Sequence, residues 1–187
     1  MMKFNKHASI HVCALRHVPE MVERTGARHL ISAINADLLP VTPATISRHL
    51  KLDMHDIIET QPATTAPTSV HVKALLDFVQ SWDKQAPILI HCYAGLSRST
   101  AAAFISLCAL NPRTPEKIIA RALRRSSDTA SPNRWFVGLA DSALNREGRM
   151  VSALHSMGQH RIATECIPFG IEALHGEDEV QTRHQAA

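Results

Sequence analysis

Pro87-Ile88-Leu89-Ile90-His91-Cys92-Tyr93-Ala94-Gly95-Leu96-Ser97-Arg98-Ser99-Thr100-Ala101-Ala102-Ala103-Phe104-Ile105 changes character twice within one short run. Ile88-Leu89-Ile90 is apolar without polar alternation, which predicts a strand buried on both faces, as in a parallel sheet. From roughly Ser97 to Leu110 the chain is apolar nearly all round, which predicts a buried helix, and Asn111-Pro112 ends it. Between strand and helix, Cys92 and Arg98 bracket a short loop. Such a loop can aim its backbone N–H groups at one point, and with the helix dipole it makes a site for a phosphate dianion. Arg98 adds a planar fork that can hold two phosphate oxygens, and Gly95 permits backbone angles other residues resist. Tyr93, Ala94, Gly95, Leu96, Ser97 and Arg98 are therefore the expected phosphate-binding residues.

The same field acts on the Cys92 sulfur, which is expected to stand as a thiolate near neutral pH. It is then a nucleophile able to attack phosphorus and form a phosphocysteine, with the amides and Arg98 stabilising the equatorial oxygens. The Ser99 hydroxyl can donate to the sulfur and help it leave in a second step.

Outward from this run, the pattern alternates strand and helix. Ile10–Leu15, His29–Ile34 and His49–Met54 read as strands. Residues 19–24 read as a short helix stopped near Gly26, and Pro40 and Pro43 break the chain around a short helical or irregular piece. Residues 56–69 form a long loop, a length that often marks function. Ser69 is the expected cap of a helix to about Asp83. Thr114-Pro115-Glu116 opens another helix, with Thr as cap and Pro at the first position. Further helices carry Trp135, Phe136, Leu139 and Leu144, then about Met150 to Met157. The result is an α/β fold with a largely parallel sheet of four to five strands. A single domain over 1–175 and a frayed tail over 176–187 are expected.

Composition excludes several classes. A net charge of +3 and no basic run longer than Arg124-Arg125 argue against nucleic acid. No apolar run is long enough for a membrane span, and Met1–His7 lacks a signal-peptide core. Cysteines at 13, 92, 108 and 166 form no CxxC pair or ligand cluster, so neither metal nor disulfide scaffold is expected. The twelve histidines are likewise scattered without ligand spacing. A reducing, cytoplasmic setting follows, in which a free thiolate survives.

His91, Cys92, Gly95, Arg98 and Ser99 match the HCxxGxxRS signature position by position, and the run resembles that of the protein tyrosine phosphatase superfamily. The mid-chain position of the loop resembles the dual-specificity group, in a bacterial-looking form, over about residues 8–157. The resemblance implies the cysteine phosphatase fold and phosphocysteine chemistry without metal or cofactor. The substrate it implies is a phosphorylated protein or a small phosphomonoester, phosphotyrosine foremost. It gives His91 a supporting role, orienting the loop by hydrogen bonds. As the strand neighbour of Cys92, His91 should point to the opposite side.

This chemistry needs a general acid. Asp56, 36 residues before Cys92 and just past the strand end, is the first candidate, with Asp53 and Glu59 behind it. Asn133, after Ser131-Pro132, is either a buttress of the loop, as the resemblance implies, or a helix cap. Tyr93 and Leu96 either touch substrate or pack. A non-protein substrate (phosphoinositide or nucleotide) is the main alternative, although the loop holds no Lys, which lipid-directed relatives often carry. A rhodanese-type sulfurtransferase, disfavoured by Arg98-Ser99-Thr100 and the upstream acids, and a non-catalytic phosphate-binding module stand further back. An arsenate-reductase-like redox pairing would need a resolving cysteine. Cys108 lies too far along the helix for that, leaving Cys13 as the one conceivable partner.

Overall fold

The computed structural model describes residues 8–59 and 62–173. The tail expected to fray from 176 and the segment Met1–His7 lie outside the described residues. In chain order the elements are β1 (Ser9–Ala14), α1 (Val18–Thr25), β2 (His29–Ala33), β3 (Arg48–Leu52), α2 (Ser69–Gln80), β4 (Ile88–Cys92), α3 (Arg98–Leu110), α4 (Glu116–Ser126), α5 (Arg134–Ala143), α6 (Arg149–His155) and β5 (Phe169–Glu172). A single 3-10 turn, Ala36–Leu38, occupies the irregular piece before Pro40.

The strands form one sheet in the order β3-β2-β4-β1-β5. The first four run parallel, and β5 pairs antiparallel with β1. Every residue of β2 and of β4 is buried, because central strands of a parallel sheet are covered on both faces. Alternation divides their side chains between two cores. Ile10, Val12, Ile31, Ile88 and Ile90 join α2, α3 and α5 on one face, whereas Cys13, Leu30 and Leu89 meet Val18, Met21 and Val22 of α1 on the other. The helix read as apolar all round is α3, fully covered through Ala101, Ala102, Ala103, Phe104 and Ile105. Cys108 packs within the same core.

Two local expectations are corrected. The cap of α2 is Thr68, not Ser69; its hydroxyl takes the N3 amide while the His71 ring takes the Thr68 amide. Pro115, not Thr114, is the N-cap of α4, because its ψ of 134° is extended and only its carbonyl receives the first helical bond. The sheet also has an antiparallel edge that no sequence pattern announced, β5. Gly170 lies within it, where an added Cβ would press on the His11 ring. Among the described residues no helix is long and apolar enough to cross a membrane.

Candidate active site

Cys92 is the last residue of β4 and Arg98 the first of α3, so the loop between them lies at the carboxyl end of a central strand. Ligands of open α/β sheets gather at that end. What shapes the loop is the way its carbonyls are tied. The Cys92 carbonyl accepts from His91 Nδ1 at 3.2 Å. Tyr93 O accepts from Leu15 N at 3.0 Å, and Ala94 O from Cys166 N at 2.9 Å. Leu96 O takes Ser131 N at 2.9 Å, and Ser97 O takes Ala101 N at 2.9 Å and Asn133 N at 3.3 Å. In a trans peptide the N–H points away from the C=O. Carbonyls drawn outward therefore turn the amides of Tyr93, Ala94, Gly95, Ser97 and Arg98 toward the inside of the loop. Among the described residues none of these amides donates to another group.

Gly95 makes the tight turn possible. Its φ is +74°, and a Cβ there would collide with Cys166 Sγ, Ala14 N and the Cys13 carbonyl carbon. Cys92 is buried, and its Sγ lies 3.1 Å from Ser99 Oγ. Arg98 is buried; its Nη1 donates to Met54 O at 2.9 Å, which swings the guanidinium against the exit of β3. Arg98 Nε is buried without a partner among the described residues, a strong donor left over for an oxyanion. Tyr93 stands in solvent at 61% exposure, and Leu96 is half-buried, so Tyr93 is a rim residue and Leu96 a partial packing residue.

Asp56 lies against this loop. Its Oδ1 accepts from Ser97 Oγ at 2.7 Å and from Asn133 Nδ2 at 2.9 Å. The other two acids do not join it. Asp53 Oδ1 receives the Ala36 amide at 2.7 Å and so closes the turn after β2, and Glu59 is exposed. Asn133 lies between α5 and the Asp56 segment. Its Oδ1 caps α5 by accepting the Phe136 amide at 3.0 Å, and its Nδ2 also reaches Ile57 O at 3.2 Å.

His91 points away from Cys92, as strand alternation requires, and shares its face with Cys13, its register partner on β1. Its Nε2 meets Ser32 Oγ at 2.6 Å. Burial pushes its imidazole down from 6.5 to about 4, so the ring is neutral at pH 7. Cys13 leaves the sheet on that opposite face, which disfavours it as a resolving partner of Cys92. Burial pushes the Cys13 thiol well up and the Cys166 thiol up to about 12, so both are protonated.

Sequence reasoning passed over Ser32, Cys166 and Met54. Ser32 did carry a signal: it is the polar residue in an otherwise apolar strand core, and such a group must have a partner. Cys166 and Met54 act through their backbones, and no side-chain pattern marks that. Among the described residues no group of three or more His, Cys, Asp and Glu is placed to hold a metal ion.

No protein-family model matches the sequence, and no curated protein matches it. Solved structures do. DUSP15 superposes with a TM-score of 0.56 at 16% identity, over 83% of this chain and 94% of that one. PTPMT1, solved in complex with PI(5)P, gives 0.59 at 15% identity, over 75% and 92%. A human DUSP28 variant gives 0.59 at 16% identity, over 74% and 92%. The chain thus shares the fold of these dual-specificity phosphatase structures.

Proposed function

We propose that the chain is a cysteine-dependent phosphatase that hydrolyses phosphomonoesters, protein phosphotyrosine foremost and phosphoserine or phosphothreonine after it. The observation that carries this reading is the ring of outward-tied carbonyls around Cys92, with Ser99 Oγ at 3.1 Å from the sulfur and a buried Arg98 Nε that has no partner among the described residues. Cys92 Sγ attacks phosphorus; the P–S bond forms as the ester P–O bond breaks. The leaving oxygen takes its proton from Asp56. Water then attacks the phosphocysteine and gives a proton back to Asp56, and the sulfur leaves as thiolate, helped by the Ser99 O–H. Loop amides and Arg98 hold the equatorial oxygens throughout. Asp56 Oδ1 is occupied by Ser97 and Asn133, so Oδ2 is the oxygen assigned to the travelling proton. A reducing compartment such as the cytoplasm suits four buried free thiols.

A second reading, a phosphoinositide substrate, is supported by the neighbour solved with PI(5)P. The absence of Lys from Tyr93–Ser97 weighs against it.

The test is a panel of aryl phosphate, phosphopeptides, phosphoinositides and thiosulfate in metal-chelated buffer. Wild type should turn over aryl phosphate and phosphotyrosine peptide, and Cys92→Ser should lose about 10⁴-fold or more while still binding an oxyanion. Turnover that survives in Cys92→Ser, or that depends strictly on added metal, overturns the mechanism.

A further inference from the structure

A line of short hydrogen bonds crosses the α1 face of the sheet and ends on the Cys92 carbonyl. Thr42 Oγ1 lies 2.7 Å from His49 Nδ1, His49 Nε2 lies 2.7 Å from Ser32 Oγ, and Ser32 Oγ lies 2.6 Å from His91 Nε2. His91 Nδ1 reaches Cys92 O at 3.2 Å. We propose that Ser32, His49 and Thr42 are positioning residues for the phosphate loop, acting through His91 as a one-way hydrogen-bond relay. The proposal rests on the phosphatase reading for its kinetic consequence but not for its structural one.

Only one end of the line has no choice. A carbonyl oxygen accepts and never donates, so His91 Nδ1 must carry the proton. The ring is neutral, because burial holds it down at about 4, and Nε2 is then an acceptor. The Ser32 hydroxyl spends its single proton on Nε2, so it can only accept from His49, whose Nε2 must be protonated. Burial and Lys51 lower the His49 imidazole as well, and its Nδ1 takes the Thr42 hydroxyl proton. Every tautomer and rotor follows from the Cys92 carbonyl.

The geometry makes the line stiff. Ser32 and His91 are fully buried and are direct register partners on β2 and β4. His49, half-buried on β3, closes the sheet's edge. The peptide held at the far end joins Cys92 to Tyr93. Fixing its carbonyl outward fixes the Tyr93 amide inward, next to the nucleophile. The relay thereby sets the first donor of the cup from the opposite side of the sheet.

The experiment reads imidazole nitrogens by long-range ¹H–¹⁵N NMR, with wild type, Ser32→Ala, His49→Phe and His49→Gln. Wild type should show His91 as the Nδ1–H tautomer and His49 as the Nε2–H tautomer, and Ser32→Ala should shift the His91 signals. His49→Phe removes the donor while keeping bulk, and should lower kcat/KM on aryl phosphate about tenfold. His49→Gln, whose amide N–H overlays Nε2, should recover most of that loss. An Nε2–H tautomer at His91, or His91 signals unmoved by Ser32→Ala, overturns the relay whatever the activity. Equal kinetics in His49→Phe and wild type overturn its role in positioning. Wild type without phosphatase activity but with the expected tautomers overturns the functional reading and leaves the relay standing.

Discussion

Two loops meet at the candidate site. Between Cys92 and Ser97 nearly every carbonyl is held by a group from elsewhere: His91, Leu15, Cys166, Ser131, Asn133. Between Asp53 and Thr68 most of the ties among the described residues run through side chains: His55 with Thr65, Asp53 with Ala36 N, Arg98 with Met54 O, Asp56 with Ser97 and Asn133, Asn133 with Ile57 O, and Trp135 Nε1 with Pro67 O at 2.9 Å. On the proposed phosphatase reading, the difference suits two tasks. Charge that develops on phosphate oxygens is stabilised best by dipoles that need not reorganise. A proton donor must follow its leaving group, and a loop held by side chains, which can change rotamer, suits that.

Gly95→Ala tests the rigid member most severely. The new methyl meets backbone at Cys13 and Ala14 as well as Cys166 Sγ, in a residue at φ +74°. A loss of about 3 kcal/mol or more in urea unfolding is expected. Adding Cys166→Ala should restore only part of it, because the backbone collisions remain; full restoration would show the loop to be softer than its anchors suggest.

His91 gives a pH test of comparable size. The unfolded ring takes a proton near 6.5 but the buried one only near 4. Acid therefore favours the unfolded chain across that window, and stability is retained above it. His91 should contribute a loss of about 3 kcal/mol between pH 7 and 4, read as the difference between wild type and His91→Gln in unfolding at the two pH values. The same acid slope in both proteins would remove His91 as its source.

Asp56→Asn probes the 53–68 loop. Turnover of poor leaving groups should fall about 100-fold and that of good ones only a few-fold, with stability nearly unchanged. An equal loss from Asp53→Asn, whose carboxylate closes the Ala36 turn, would move the acid to the other residue. Trp135→Phe should have the smallest effect. Losing the bond to Pro67 O should cost about 1 kcal/mol, seen as faster proteolysis within the 53–68 loop while the 92–98 loop stays protected.

The rigid loop was also the more legible one. Ile88–Ile90, the bracket of Cys92 and Arg98, and the all-apolar run of α3 each carry their structural meaning locally, so strand, loop and helix fall within a residue or two of expectation. Asp56 differed from Asp53 in sequence by lying just past the strand pattern, but only the Cys92 motif raised it above an ordinary loop carboxylate. β5 was not legible. Phe169-Gly170-Ile171-Glu172 is too short to show a period, and its strand character comes from pairing with β1. Thr68 displaced Ser69 as cap because the His71 ring completes a reciprocal pair with it, a match that depends on the ring's reach.

The Ala94 carbonyl is met by Cys166, and β1 gains its outer neighbour from residues 169–172. Both partners come late in the sequence, after α6. A nascent chain that stopped before residue 166 would leave one peptide of the cup unanchored and the β1 edge bare, open to pairing with another chain. The set of the 92–98 loop and the cover of the β1 edge thus both depend on chain that follows α6.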